Sequence, residues 1–178
     1  MSIAAKYRPY YTYENYCQWE GRWELIEGMP YAMSPAPVPA HQSVSVLLNF
    51  EFVKALKNCR NCKFFQPLDW KIKEDTIVQP DLLFVCDKIE KRFLDSPPVL
   101  VVEILSPSTA SKDRGEKMQL YQSQKVKYYL IVDPQFEKLE IYEYFHAQYE
   151  TVSVNLETYH FTLHDNCTID VNPLDIWE

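Results

Sequence analysis

The chain has 178 residues, 47% of them hydrophobic and 15% aromatic, with a formal net charge of −7. This size and composition fit a single domain, residues 1–178, with a substantial buried core. No apolar run approaches the roughly 18 residues that span a bilayer, and the N-terminus lacks the apolar stretch of a secretory signal. We therefore expect a cytoplasmic protein without a membrane partner.

A short helix and a hairpin are predicted first. TYENYCQWE, beginning at Thr12, has an aromatic face and a residue suited to cap a helix. WELIEG then alternates as a short strand, Gly28 marks a turn, and MPYAM forms the returning strand. The proline-rich loop SPAPVPA ends at Ala40. The next stretch has helical spacing, because these apolar residues share one face: Val44, Leu47, Leu48, Phe52 and Leu56.

Strands dominate the rest of the chain. KFFQ and LDWKIK are short and alternating, whereas PDLLFVC and VLVVEIL are nearly all apolar, as in strands buried on both faces. SPSTASKDRGEKMQLYQS predicts a helix with Ser111 or Asp113 near its start. KYYLIVDP predicts a third buried strand, and LEIYEYFHAQYETVSV a strand pair. This order predicts an α/β (α+β) fold, a mixed sheet with helices packed on it.

Charge is distributed unevenly along the chain. Residues 53–73 carry six lysine and arginine residues and one aspartate, a local charge of +5, whereas residues 133–178 carry ten acids and one lysine, a charge of −9. The basic stretch can track a phosphate backbone despite the acidic total. A solvated helix face is the alternative interpretation.

Two carboxylates stand beside or within buried strands. Asp81 follows Pro80 at the start of one apolar run, and Glu103 interrupts the run VLVVEIL. A buried carboxylate is costly unless it is paired, hydrogen-bonded or metal-bound. If the strands are neighbours, both acids can face one ion, and such oxygen ligands suit Mg²⁺ or Mn²⁺. The alternative is a core glutamate that bridges to a lysine or a tyrosine.

Long motifs in this chain resemble a known family. WELIEGMPYAMSPAPVPAHQ, QPDLLFV and VVEILSPSTASKDRGEKMQLYQSQKVKYYLIVDP are similar to the Uma-type family of restriction-endonuclease-like proteins, within the PD-(D/E)XK nuclease superfamily. The resemblance covers most of residues 10–145. It implies a restriction-endonuclease-like mixed β-sheet core flanked by helices, here with an extra N-terminal hairpin and C-terminal strands. It also implies a magnesium-dependent endodeoxyribonuclease.

The resemblance assigns roles to individual residues. Asp81 matches the P-D element and Glu103 the acidic position of the second element, so both are expected to be catalytic and metal-binding, with the Ile104 carbonyl as a further ligand. The lysine position of that element falls on Leu105, which cannot orient a water molecule. Lys117, in the helix that follows, is the expected substitute. An exposed helical lysine paired with Glu116 or Asp113 is the alternative.

Five further residues are weaker candidates. Glu27 is either an additional metal ligand or an ordinary surface acid. His41 either contacts substrate phosphate or caps a helix. Gln79, Ser108 and Tyr121 are candidates for substrate binding, although a structural role is the safer interpretation for each.

Competing functions are also considered. The Cys59–Cys62 pair is weak evidence for zinc, because two more ligands are needed and the candidates His160 and His164 lie far along the chain. An odd cysteine count in a chain of this size indicates free buried thiols. The principal prediction is a nucleic-acid-cleaving homodimer that prefers DNA over RNA. A catalytically inactive nucleic-acid-binding or protein-interaction module is the alternative, and hydrolysis of a small phosphoester is a third.

Overall fold

The computed structural model describes residues 8–33, 38–59, 61–154, 158–164 and 167–177. They form two compact units. The first contains the described residues up to position 33 together with Leu68–Gln79 and Ile89–Ser96, and the second contains most of the remainder. Residues 34–37 of the predicted proline-rich loop lie outside the described residues. The prediction of a single domain stays a prediction.

An antiparallel sheet forms the first unit. A short helix α1 (Tyr13–Tyr16) precedes the strands β1 (Trp23–Ile26) and β2 (Met29–Ala32), and β4 (Trp70–Lys73) and β5 (Thr76–Val78) complete the order β2-β1-β5-β4. Between β1 and β2 the backbone angle φ is +49° at Glu27 and +76° at Gly28. Positive φ at both central residues is the turn that two-residue hairpins favour. The predicted N-terminal helix and hairpin are therefore confirmed.

A six-stranded sheet forms the centre of the second unit. Its strands are β3 (Lys63–Phe65), β6 (Leu82–Val85), β7 (Leu100–Ile104), β8 (Tyr128–Asp133), β9 (Lys138–Phe145) and β10 (Gln148–Val154), in the order β10-β9-β8-β7-β6-β3. Strands β7 and β8 are parallel, and the other neighbouring pairs are antiparallel. Because a parallel pair needs a crossover, the segment between β7 and β8 is helical.

Helices cover the two faces of this sheet. The helix α2 (Pro39–Ala55) packs Val44, Leu48 and Phe52 on one face, together with the hairpin of β11 (Tyr159–His164) and β12 (Cys167–Val171). The crossover covers the other face and consists of α3 (Ala110–Lys112), a π-helical turn (Asp113–Lys117) and α4 (Met118–Ser123). The predicted mixed α+β fold is confirmed, although α2 begins at Pro39, inside the predicted loop. None of the described helices is long and apolar enough to cross a membrane.

Four of the five cysteines form disulfides in this structure, so the expectation of free buried thiols was wrong. Cys62 and Cys86 extend the antiparallel β3–β6 pairing, in which Lys63 lies opposite Val85, and therefore meet across the two strands. Cys59, just after α2, pairs with Cys167 of β12. Cys17 is free and exposed. Disulfides are rare in reducing compartments, and the cytoplasmic location stays a prediction.

Candidate active site

Asp81 and Glu103 face each other across neighbouring strands. Leu82 of β6 pairs with Val102 of β7, so the residues next along, Asp81 and Glu103, are opposite and project from the same face of the sheet. Asp81 Oδ2 accepts a hydrogen bond of 2.8 Å from the backbone N–H of Ile104. This register brings together the two acids that the sequence predicted as a pair.

Lys117 reaches Glu103 from the crossover helix. Its Nζ lies 2.7 Å from Glu103 Oε1 and 3.7 Å from Asp113 Oδ1. The Tyr121 hydroxyl donates a hydrogen bond of 2.6 Å to the same Glu103 oxygen. Lys117 is 1% exposed and Glu103 is 2% exposed. The alternative was therefore wrong in expecting an exposed lysine, whereas the pairing with Asp113 that it expected is present.

The π-helical turn positions this lysine. Asp113 and Lys117 are its first and last residues, and both are buried. The Tyr129 hydroxyl donates a hydrogen bond of 2.9 Å to the Asp113 carbonyl, which anchors the turn to β8. Single π-turns inside helices occur frequently at functional sites. In this chain the turn lies directly over the acidic pair.

His41 approaches the site from the first turn of α2. Its Nε2 lies 3.2 Å from Asp81 Oδ2, and the residue is 8% exposed. A histidine that only capped the helix would contact backbone groups at the helix end. Because the recorded contact is with Asp81 instead, His41 belongs to the same cluster as the predicted carboxylates.

Negative charge predominates in this cluster. Burial raises the pKa of Tyr129 well above its ordinary value, and the carboxylates of Glu103, Asp113 and Asp81 contribute to the same shift. Three carboxylates thus act on one buried region, and the described contacts there include the ammonium of Lys117. A divalent cation would lower the electrostatic cost of holding these carboxylates together.

The donor set fits a magnesium-type ion. Among the described residues, no group of three or more His, Cys, Asp and Glu side chains lies close enough together to hold a metal. Mg²⁺ and Mn²⁺ do not need such a cage, because magnesium typically uses one or two carboxylates and keeps several waters. Asp81 and Glu103 meet that requirement.

Glu27 and Gln79 lie in the first unit. Glu27 is exposed, and its backbone N–H donates to Thr76 Oγ1 at 3.2 Å. The Gln79 amide donates to Asp69 Oδ1 at 2.6 Å and accepts from Arg22 at 3.1 Å. These contacts give Gln79 a structural role within its unit, as the sequence favoured.

Sequence reasoning missed a buried acid in the first unit. Glu24 of β1 is fully buried and accepts a hydrogen bond of 3.0 Å from the backbone N–H of Gln79. Its position in the alternating run WELI predicts a solvent-facing side chain. The feature that could have indicated a buried acid was a charged residue between two apolar residues in a short strand.

Ser108 and the basic stretch have partners within the protein. Ser108 is exposed, with its hydroxyl 3.0 Å from that of Ser106. In the stretch 53–73, Lys54 pairs with Glu51 and Lys71 with Glu74, and Arg60 lies outside the described residues. These ion pairs reduce the charge available to nucleic acid, and the predicted phosphate track stays a prediction.

Known proteins share the fold and the sequence pattern. A crystal structure described as "a putative nuclease belonging to DUF820" from Anabaena variabilis matches with a TM-score of 0.74 and 16% identity, over 93% of this chain and 97% of that one. The uncharacterized protein slr1290 of Synechocystis sp. is 32% identical over 139 residues, covering 72% of each chain. Residues 11–171 match the model of the Uma2 family, described as "Putative restriction endonuclease". The chain therefore belongs to the Uma2 family.

Proposed function

We propose that the chain is a metal-dependent endonuclease that hydrolyses phosphodiester bonds of nucleic acid, with DNA preferred over RNA. The observation that carries the proposal is that Asp81 and Glu103 face each other across neighbouring strands, with Lys117 Nζ 2.7 Å from Glu103 Oε1. Two carboxylates and a lysine are the groups that the nuclease superfamily pattern demands. The usual position of this lysine is occupied by Leu105 in this chain, and we propose that Lys117 of the crossover takes its role.

The carboxylates and the lysine divide the chemistry. Asp81, Glu103 and the Ile104 carbonyl would hold Mg²⁺ or Mn²⁺, which when bound lowers the pKa of a water molecule and neutralises charge on the phosphate. Lys117 orients the attacking water or stabilises the developing negative charge. Hydrolysis forms a bond from the water oxygen to phosphorus and breaks the bond to the 3′ oxygen. The products are a 3′-hydroxyl and a 5′-phosphate.

Neighbouring residues hold these groups in place. Tyr121 donates to Glu103 and thereby fixes its carboxylate. Asp113 lies on the other side of the Lys117 ammonium and limits where it points. His41 contacts Asp81 and can bind a substrate phosphate or carry a proton. Preorganised groups of this kind need little rearrangement during reaction.

We also propose that the active species is a homodimer, formed through an edge strand of the six-stranded sheet. Strand β10 ends the six-stranded sheet on one side, and an edge strand of this kind can pair with a second copy. Sedimentation at increasing protein concentration tests the proposal. A monomer at the highest concentration would contradict it.

A cleavage assay tests the nuclease proposal. Plasmid and single-stranded DNA and RNA are incubated with the protein in Mg²⁺ or Mn²⁺, with a chelator control. Glu103→Gln should remove cleavage, whereas Glu116→Gln, an exposed acid on the same crossover helix, should retain it. If the folded wild-type protein neither cuts nor binds Mn²⁺ by calorimetry, the inactive binding module becomes the better description.

A further inference from the structure

A pocket of about 360 Å³ in the second unit has His41 in its lining. It lies where β7 and β8 end, between the loop after β7, the turn after β8 and the start of α2. Its volume is at the small end of ligand sites, which span roughly 300–1,000 Å³. It is therefore large enough for one ring system with an attached sugar and too small for a folded polymer.

The walls are chiefly apolar. The apolar lining residues include Val38, Leu105, Pro107, Ala110, Pro134 and Phe136. Phe136 is 70% exposed and Val38 is 50% exposed. A large ring left this open to water is stabilised when a flat aromatic ligand covers it, because base–aromatic stacking is favourable for every nucleobase.

The turn that carries Phe136 is held in one conformation. Asp133 Oδ1 accepts hydrogen bonds from the backbone N–H groups of Gln135 at 3.1 Å and Phe136 at 3.4 Å. The ring is consequently presented by a fixed turn, so less conformational entropy is lost when a ligand stacks on it.

The polar lining selects against a phosphate and for a base. Among the described residues that line the pocket, none is lysine or arginine, and the acid Asp133 would repel an anion. The Gln135 amide, the Ser106 hydroxyl and the Asp133 carboxylate are groups that hydrogen-bond to base edges. A nucleobase offers both the flat faces and the edge donors that this lining accepts.

His41 connects the pocket with the acidic pair. Its side chain lines the pocket, and its Nε2 lies 3.2 Å from Asp81 Oδ2. A base bound in the pocket would therefore lie beside His41 and, through that contact, close to Asp81. The juxtaposition joins a recognition pocket to the groups proposed to carry out hydrolysis.

We propose that this pocket receives one unpaired nucleobase of the strand being cut, so that the substrate is single-stranded or locally unpaired nucleic acid. The inference rests on the proposed nuclease function and adds the substrate class. A perfect duplex keeps its bases stacked and paired, and removing one from the stack is unfavourable. A strand with a base already free avoids that cost and binds more tightly.

Binding in the presence of EDTA tests the pocket independently of cleavage. Fluorescence anisotropy compares a short fluorescein-labelled single strand, the same strand in a perfect duplex, and a duplex with one bulged base. We expect the single strand and the bulge to bind more tightly than the perfect duplex. Phe136→Ala should weaken binding of the single strand by about tenfold. Phe136→Tyr, which keeps a ring, should restore it.

A matched control separates stacking from general loss of an exposed ring. Phe145 is 55% exposed at the end of β9, and Phe145→Ala should bind like the wild-type protein. Replacing one base by 2-aminopurine gives a second readout, because its fluorescence should be quenched by the wild-type protein and unaffected by Phe136→Ala. Thermal melts confirm that each variant is folded.

The outcomes test the pocket proposal and the nuclease proposal independently. If Phe136→Ala binds the single strand as tightly as the wild-type protein, or if the perfect duplex binds as tightly as the bulge, the pocket proposal is overturned. Metal-dependent cleavage lost in Glu103→Gln would still uphold the nuclease in that case. Conversely, Phe136-dependent binding without metal-dependent cleavage would uphold the pocket and remove the nuclease.

Discussion

The ammonium of Lys117 lies 2.7 Å from Oε1 of Glu103, with both side chains almost fully buried. One residue comes from a helix and the other from a strand, and the ion pair connects the two layers. The same ion pair would also neutralise the Glu103 carboxylate if this residue had only a structural role in the core. A loss of stability in Glu103→Ala is therefore expected for a structural role and for a metal-binding role alike. Metal binding and the rate of cleavage distinguish the two roles.

Replacing Lys117 should separate catalysis from metal binding. In Lys117→Met we expect the cleavage rate to fall by at least about a hundredfold, because a group that stabilises the transition state is lost. Binding of Mn²⁺ should be retained or strengthened, since one competing positive charge is gone. Lys112→Met, in the same crossover, should behave like the wild-type protein. Weaker Mn²⁺ binding in Lys117→Met would contradict this assignment.

Metal should stabilise the folded protein through the acidic pair. A ligand at about 100 times its Kd adds roughly 2.7 kcal/mol, which corresponds to a rise in Tm of about 5 °C or more for a chain of this size. We expect Mn²⁺ to produce this rise in the wild-type protein and in Glu116→Gln. The rise should disappear in Asp81→Asn and in Glu103→Gln. Equal Tm shifts in all four proteins would assign the ion to another site.

Low pH should lower the stability of the folded protein, because the Glu140 carboxylate becomes protonated. Arg114 donates two hydrogen bonds to this carboxylate, at 2.9 and 3.0 Å, and the hydrogen bonds from Arg114 are the largest cause that lowers its pKa to about 2 from 4.5. Because the folded-state pKa is depressed, the stabilisation is fully present above pH 4.5 and is lost as pH falls toward 2. Thermal melts of the wild-type protein and Glu140→Gln should therefore converge across that range. Parallel curves would contradict the prediction.

Reduction should destabilise the second unit. The Cys59–Cys167 disulfide closes a sequence separation of 108 residues and Cys62–Cys86 one of 24. Loop-entropy arithmetic gives losses of about 5 and about 3 kcal/mol for the two. Paired serine variants should reproduce this order in chemical denaturation. Thiol titration of the unfolded, non-reduced protein should find one free thiol, Cys17, whereas five free thiols before reduction would contradict both disulfides.

The sequence alone was sufficient to predict the strand that follows Asp81 and the strand that contains Glu103. PDLLFVC and VLVVEIL are apolar enough to identify β6 and β7, and an acid in each is conspicuous. Their antiparallel register, which sets Asp81 opposite Glu103, depends on strand order and could only be assumed. Lys117 was assigned by resemblance to a family, because spacing alone does not show whether a helical lysine faces a sheet.

Other features depend on tertiary contacts that local patterns do not encode. The segment DRGEK has the spacing of an ordinary helix, and its π-helical turn is accompanied by the bond from Tyr129 to the Asp113 carbonyl. The disulfides join residues far apart in sequence, so cysteine spacing gave no guide to them. Glu24 is buried by its sheet although the alternation of its strand places it toward solvent.

Leu105 stands at the position where the motif has a lysine, and it also contributes to the pocket. Its side chain lines the pocket beside His41, whereas the ammonium comes from Lys117 in another element. In a site whose lysine occupies the strand position, any change there alters turnover. On the proposed function, separate residues carry the two tasks, so we expect substitutions at position 105 to change which strands bind while Lys117 and the acidic pair stay intact. This separation makes Leu105 the natural starting point for engineering the selectivity of the protein.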